Sequence, residues 1–374
     1  MFAKRRNIMP VIKFMKKNAV FCIAAFAAIV TCFFVPPDKD YFGYFDWTTL
    51  ACLFLTLAVI CAYRNIKFFT IISRKLVLLA GNLRSLFFML VIITFIGSMI
   101  IANDMALITF LPLGYFSVSV AKQEKYIPYL FILQNISANL GGMLTPFGNP
   151  QNLYLYSYFK IPTVEFCSIM LKPFILAVTL LSICCLFVKP IKLEIGEKFP
   201  EKLNMKRTLL YSVLFIFSIL IVFRVIPFWI GLIIVPAILF VSDRESLLMV
   251  DYALLGTFFF FFIFAGNLSR IEAVNSVLSS LLDKDTLTVS VLSCQFISNV
   301  PSAILLSQFT ENYHELLVGV NIGGVGTLIA SLASLITFRE YTLREPYRAA
   351  HYMKVFTLLN LLFLVILTLV ALVF

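Results

Sequence analysis

The sequence predicts an all-α polytopic membrane protein made of two inverted repeats, each with one re-entrant hairpin and one broken helix. Three observations lead there. Of the 374 residues, 61% are hydrophobic and 13% charged, with a mean hydropathy of +0.98, whereas a soluble domain is about 25% charged. Apolar runs of roughly 20 residues, the length that crosses a bilayer, recur from end to end. The segment Asn139-Leu140-Gly141-Gly142-Met143-Leu144-Thr145 nearly returns as Asn321-Ile322-Gly323-Gly324-Val325-Gly326-Thr327, each copy inside a long apolar stretch. Such residues suit a lipid-facing helix poorly. Irregular backbone at membrane depth survives only where it is buried in protein or lines a cavity.

Composition also excludes alternatives. The net charge of +11 need not mean nucleic acid, because the Lys and Arg sit in short loops, as the positive-inside rule expects. The cysteines Cys22, Cys32, Cys52, Cys61, Cys167, Cys184, Cys185 and Cys294 lie in apolar segments without metal-ligand spacing and read as small core residues. The only two histidines, His314 and His351, fall in expected loops. With no paired deep carboxylates either, an intramembrane enzyme lacks a catalytic constellation, and no cofactor is expected.

In chain order, residues 4–35 read as a basic start and an uncleaved first span at about 18–35, longer than a signal-peptide core and without a cleavage-like site. Further spans are expected at about 47–63, 127–159, 165–187, 208–223, 226–241, 250–267, 316–338 and 352–374. The stretches 84–121 and 285–310 have polar breaks at Ala102-Asn103-Asp104 and Ser298-Asn299-Val300-Pro301. Half of the second is too short to span, so both are expected as hairpins that return to the side they came from. With the N-terminus cytoplasmic, only Lys39, Lys160, Lys172, Arg224, Arg270 and Lys284 of the 30 Lys and Arg then lie outside. The C-terminus is extracytoplasmic in this multi-pass arrangement in the plasma membrane.

Matched landmarks define the repeats: Asp46-Trp47 with Asp251-Tyr252, Asn103 with Asn299, and Asn139 with Asn321. The expected order in each is span, amphipathic arm, hairpin, broken span, final span. The chain divides into an N-terminal segment and first span (1–45), repeat 1 (46–189), a cytoplasmic loop with two linking spans (190–249), and repeat 2 (250–374). The span at 47 runs inward and that at 250 outward, so the repeats are inverted. That symmetry suits alternating access, and paired breaks in corresponding halves point to a secondary transporter's binding site.

The strongest motif is Thr145-Pro146-Phe147-Gly148-Asn149-Pro150-Gln151-Asn152. Two prolines stop a helix and free carbonyls for a cation; Gly141, Gly142 and Gly148 admit a close backbone approach. A half-helix restarting near Asn152 presents N–H groups to an anion. A plain structural kink is the alternative. The second break lacks prolines, but Thr327, Ser331 and Ser334 are expected to put hydroxyls on nearby turns of one face; small-residue helix packing is the alternative. Asp104 lies mid-hairpin, and an intramembrane acid is by default a functional candidate. It either carries a proton or helps to hold Na+, or it caps the helix 105–115. The run Phe258-Phe259-Phe260-Phe261-Phe262 reads as lipid-facing or packing surface. No Lys or Arg is expected at mid-membrane depth, so an anion would be held by amides, hydroxyls and helix ends with a co-bound cation.

These residues carry a resemblance. Ile101-Ala102-Asn103-Asp104-Met105-Ala106-Leu107 resembles the Asn-Asp hairpin motif of arsenite permeases. The pattern over 139–152 resembles the unwound helix of the divalent anion/sodium symporters and their sodium/proton antiporter relatives. Ser298-Asn299-Val300-Pro301-Ser302-Ala303 resembles the second hairpin tip of the same superfamily. The chain, from about Asp46 onward, is identified as a member of the ion transporter superfamily, in its citrate-transporter-like anion permease branch. The resemblance implies a substrate and ion site at Asn103, Asp104, Asn139, Gly142, Thr145, Pro146, Gly148, Asn149, Pro150, Asn152, Ser298, Asn299, Val300, Asn321, Gly324, Thr327 and Ser331, with Na+ near Asn103, Asn149, Asn299 and Thr327. It also implies a homodimer and an elevator motion. The symporters carry Ser-Asn-Thr at both tips. Ala-Asn-Asp and Ser-Asn-Val here lack the following hydroxyl, which raises proton coupling or an anion other than a dicarboxylate. The expected function is Na+- or H+-coupled transport of a small anion such as a di- or tricarboxylate, with a Na+/H+ antiporter or an arsenite-type oxyanion permease as alternatives.

Overall fold

A computed structural model of the chain describes residues 18–193 and 202–373. The basic start at 4–17 and part of the loop 189–207 fall outside the described residues. Among the described residues the fold is all helical, with one isolated bridge between Asn82 and Lys192.

The first helix, α1 (Ala19–Cys32), stops short of the expected residue 35. Pro36-Pro37 follow, and the residue before a proline is driven out of the helical region. Two matched openings are true N-caps. Asp46 accepts the Thr49 N–H at 3.0 Å to start α2 (Trp47–Asn65), and Asp251 accepts the Leu254 N–H at 3.0 Å to start α12 (Tyr252–Ser269). Each leads to a helical arm, α3 (Phe68–Val77) or α13 (Glu272–Lys284).

Both polar breaks are helix–residue–helix hairpins. Ala102 alone (φ 61, ψ 154) separates α4 (Leu83–Ile101) from α5 (Asn103–Val120), and Ser298 alone (φ 75, ψ 158) separates α14 (Thr286–Ile297) from α15 (Asn299–Leu306). The arms fold onto each other: Gly97 lies under the Phe110 ring, and Ser293 Oγ is 2.9 Å from Ser302 Oγ. The hairpins are unequal. α4 is long and apolar enough to cross a membrane, whereas α14 has 12 residues.

The expected broken spans are broken. α6 (Ile127–Gly141) passes through a 3-10 turn, Gly142–Leu144, and an irregular stretch before α7 (Pro150–Tyr158). The half-helix therefore restarts at Pro150, earlier than Asn152. Pro150 starts it rather than stopping one, because N1 needs no N–H partner. In the second copy, α16 (Tyr313–Ile322) and α17 (Leu332–Arg344) flank a non-helical segment, 323–331. Thr327 and Ser331 thus do not lie on turns of one helical face; only Ser334 is on a helix.

The remaining helices are α8 (Thr163–Leu186), α9 (Met205–Val222), α10 (Phe228–Ser242), α11 (Arg244–Leu248) and α18 (Ala349–Val373). Among the described residues, six helices have the length and apolar character to cross a membrane: α2, α4, α8, α9, α12 and 346–373. Outer helices show apolar side chains such as Phe26, Val164, Leu209 and Val241 to the surroundings. The middle is the reverse: α6 from Leu130 onward, α7 over 151–156 and α16 over 316–322 are wholly buried, and they carry Gln134, Asn135, Asn152 and Asn321. That inside-out polarity fits lipid as the solvent. In the phenylalanine run, Phe258 and Phe262 are buried and Phe262 packs 5.6 Å from Tyr154, so this part is packing surface. α1 lies along α12, where Asn267 donates to Thr31 Oγ1 at 3.1 Å and Arg270 pairs with Asp38 at 2.6 Å.

Candidate functional site

The two breaks and the two hairpin tips meet in one buried carboxamide cluster. Asn139, at the end of α6, is its hub. Its Oδ1 accepts from Ser331 Oγ at 2.7 Å and from Asn103 Nδ2 at 3.4 Å, and its backbone carbonyl accepts from Asn149 Nδ2 at 3.3 Å. Asn321 Nδ2 donates to Asn152 Oδ1 at 2.6 Å and to Leu317 O at 2.8 Å. Asn299 joins through its backbone N–H, which donates to Ala330 O at 2.9 Å.

Helix ends explain this convergence. Asn103 and Asn299 are the first residues of α5 and α15, Asn149 is the N-cap of α7, and Ser331 is the N-cap of α17. Four helix N-termini therefore face one region. A helix N-terminus carries first-turn N–H groups outside its own hydrogen-bond ladder and about half a positive charge. Ser331 does two jobs, accepting the Ala333 N–H at 3.2 Å while donating to Asn139.

Both tips have the same local build. Asn103 Oδ1 accepts the Asp104 N–H at 2.9 Å, and Asn299 Oδ1 accepts the Val300 N–H at 2.9 Å. Behind them, Thr145 Oγ1 donates to Met99 O at 2.9 Å and Thr327 Oγ1 to Gln295 O at 3.1 Å. A Cβ on Gly141 would overlap the Phe95 carbonyl and Ser98; one on Gly323 would stand 2.8 Å from Cys294. In each copy the first glycine of the pair thus lets the broken helix lie against a hairpin arm.

The close approaches expected at the glycines are made to the chain itself. Gly142 lies against the Asn149 carboxamide, and Gly148 against the Gly142 carbonyl and Thr145 Oγ1. A Cβ added to Gly324 would stand 3.1 Å from Asn299 Nδ2. Pro146 is buried inside the break. The freed carbonyls are also engaged: Asn152 Nδ2 donates to Gly142 O at 3.1 Å, Met143 O at 3.3 Å and Thr145 O at 3.4 Å. Ser298 Oγ reaches Ala330 O at 3.4 Å, and Val300 is half-buried.

Asp104 caps no helix. α5 already begins at Asn103, and its N-cap position is Ala102, without a side-chain cap bond. Asp104 Oδ1 is buried with no hydrogen-bond partner among the described residues. The same holds for Asn149 Oδ1, Asn321 Oδ1 and Asn139 Nδ2. Three acceptors and one donor of the cluster thus have no partner among the described residues.

Several participants carry no motif of their own. Asn135 donates to Ser334 Oγ at 3.2 Å and accepts from Thr337 at 3.3 Å, tying α6 to α17. Gln134 donates to Thr94 Oγ1 at 3.1 Å. Gln295 binds the second break. A polar residue inside an apolar helix was the available signal in each case. A separate cavity of about 660 Å³, lined by Glu165, Lys172, Lys284, Asp285, His314 and Glu315, contains none of the cluster residues. Among the described residues no group of His, Cys, Asp and Glu has the makings of a metal centre.

Three relatives and one protein family resemble the chain. The family described as citrate transporter matches residues 8–317. The uncharacterized transporter MJ0456 of Methanocaldococcus jannaschii is 34% identical over 306 residues, 80% of this chain and 82% of that protein. The inner membrane protein YbiR of Escherichia coli is 29% identical over 344 residues, covering 88% and 90%. The silicon efflux transporter LSI3 of Oryza sativa subsp. japonica is 27% identical over 180 residues, 47% of this chain and 36% of that protein.

Proposed function

The chain belongs to the citrate transporter family, and from that premise we propose that it is an ion-coupled secondary transporter of a small anion, working by elevator-type alternating access. Membership makes it a multi-pass membrane transporter and not an enzyme. The observation that carries the anion reading is the convergence of four helix N-termini on Asn139 and Ala330. Main-chain N–H groups and helix dipoles hold anions without a basic side chain. The free acceptors Asp104 Oδ1 and Asn149 Oδ1 supply the complementary chemistry, a place for Na+ or for a proton beside the anion.

In this reading the substrate and ion site comprises Asn103, Asp104, Asn139, Gly142, Thr145, Pro146, Gly148, Asn149, Pro150, Asn152, Ser298, Asn299, Val300, Asn321, Gly324, Thr327 and Ser331. The hairpins are re-entrant and the halves inverted. Their matched caps, one-residue tips and threonine–carbonyl bonds support this symmetry. A homodimer in the plasma membrane, with a cytoplasmic N-terminus, completes it.

Asp104 favours a second reading, Na+/H+ antiport, because a carboxyl oxygen without a partner inside a hairpin can exchange a proton for a cation. Reconstitution into liposomes separates the two. Uptake of citrate, succinate, arsenite or silicate driven by a Na+ or H+ gradient is the expected result; silicate joins the panel because of the name of one relative. Proton efflux driven by Na+, with no anion moved under either gradient, would replace the first reading by the second.

A further inference from the structure

The second helix break is filled by a side chain from outside it. Gln295 lies on α14, four positions before the tip residue Asn299. Its Nε2 donates to Gly323 O at 2.9 Å and Val325 O at 3.2 Å, besides Val291 O in its own helix at 3.1 Å. Its Oε1 accepts the Thr327 N–H at 2.9 Å, and its backbone carbonyl accepts Thr327 Oγ1 at 3.1 Å. Gly326 makes the room: its φ is +123°, and a Cβ there would overlap Gln295 Oε1.

An amide nitrogen carries partial positive charge. Here it sits among carbonyl oxygens that the break takes out of the helical ladder, the groups that would otherwise coordinate a cation or water. The first half is built differently at the matching place. Met99 offers its carbonyl to Thr145, just as Gln295 does to Thr327, but its side chain has no donor. The first break is bridged from within by Asn152, and two buried acceptors, Asp104 Oδ1 and Asn149 Oδ1, remain free on the first tip and break. In the second half Asn321 Oδ1, at the end of α16, has no partner either, but among the described residues no buried side-chain oxygen within the second tip and break, 295–299 and 323–331, is left without one.

We propose that Gln295 is an amide plug occupying the cation position of the second break, so that this transporter takes its coupling ion in the first half alone. The plug rests on the distances above; only its consequence for coupling rests on the transporter reading.

The test counts Na+ bound by the purified full chain in detergent, with radiolabelled Na+, and compares melting temperature in Na+ and in choline. Gln295→Met, which supplies the residue type of the first half, should bind one Na+ per chain more than the wild type and gain a Na+-dependent rise in melting temperature. Gln295→Lys brings its own ammonium to the carbonyls and should keep the wild-type count. Equal counts in the wild type and Gln295→Met overturn the proposal, as does an extra Na+ in Gln295→Lys. If Gln295→Met folds only when Na+ is present, the proposal stands; misfolding that Na+ does not relieve counts against it. None of these readings needs a transported anion, so failure of the flux assay and failure of the plug are separate results.

Discussion

Asn321 and Asn152 share a 2.6 Å carboxamide bond that joins the end of α16 to the first turns of α7. It links the two helix breaks directly. Asn152 then passes the connection to three carbonyls of the first break through its Nδ2. Both side chains are fully or almost fully buried, and Asn152 Oδ1 depends on Asn321 for its hydrogen bond.

Removing either partner should therefore destabilise. Asn152→Ala and Asn321→Ala each leave buried polar groups unpaired, at a cost of about 1–3 kcal/mol. The double variant should cost less than the sum, with a coupling of roughly 0.5–3 kcal/mol. Denaturation midpoints of the four proteins in detergent give the coupling directly. Strict additivity would mean that the bond contributes nothing.

The hairpin tips hold backbone strain. Ala102 and Ser298 occupy a region (φ 61, ψ 154 and φ 75, ψ 158) suited to glycine, at an expected cost on the order of 1–3 kcal/mol each. Glycine relieves it but adds about 0.4–1 kcal/mol of unfolded-chain entropy. Ala102→Gly and Ser298→Gly should leave stability unchanged or raise it by up to about 2 kcal/mol, and Ala102→Val should lower it. A fall in melting temperature for Ala102→Gly would contradict the strain.

The two inner glycines should differ in tolerance. A methyl at Gly141 meets the backbone carbonyl of Phe95, which can move only with the hairpin arm; at Gly323 it meets the Cys294 side chain and the Gly319 carbonyl at 2.8–2.9 Å. Overpacking of this kind costs about 1–3 kcal/mol. Gly141→Ala should be the more damaging of the two in thermal melts, and the reverse order would show that the first hairpin arm yields more easily.

Asp104→Asn keeps the shape of the side chain and removes its titration. Transport driven by a proton gradient should lose its pH dependence, while the Asn103–Asp104 backbone contact at 2.9 Å keeps the tip in place. An unchanged pH profile for flux would leave the carboxyl without a coupling role.

The tie between the loop after α1 and the end of α12 should be acid-sensitive. The Arg270 guanidinium, hydrogen-bonded to Asp38, holds this carboxyl below its usual value. A lowered folded-state value gives stability that is present above the unfolded carboxylate pKa of about 3.9 and is lost as pH falls through the folded value. Asp38→Asn should therefore melt slightly below the wild type at neutral pH, and the difference should close in acid below about pH 4. A gap that persists in acid would assign the effect to packing.

Composition alone determined that this is a helical membrane protein, because a bilayer requires long apolar segments that satisfy their own backbone. The matched landmarks at Asp46 and Asp251, Asn103 and Asn299, and Asn139 and Asn321 were legible too, since caps and helix breaks are local chemistry written in Asp, Gly, Asn and Pro. Three things were not. Pro150 begins a helix instead of ending one, Asp104 caps nothing, and the second break is a nine-residue loop rather than a helical face. Each depends on what the backbone meets elsewhere in the fold. The same is true of Asn135 with Ser334, Asn321 with Asn152, and Gln295 with Gly323. A carboxamide in an apolar helix announces that it needs a partner, but the partner is fixed only when helices distant in the chain pack together. The sequence thus determined the kinds of groups in the core, and the tertiary structure decided which of them are satisfied and which have no partner among the described residues.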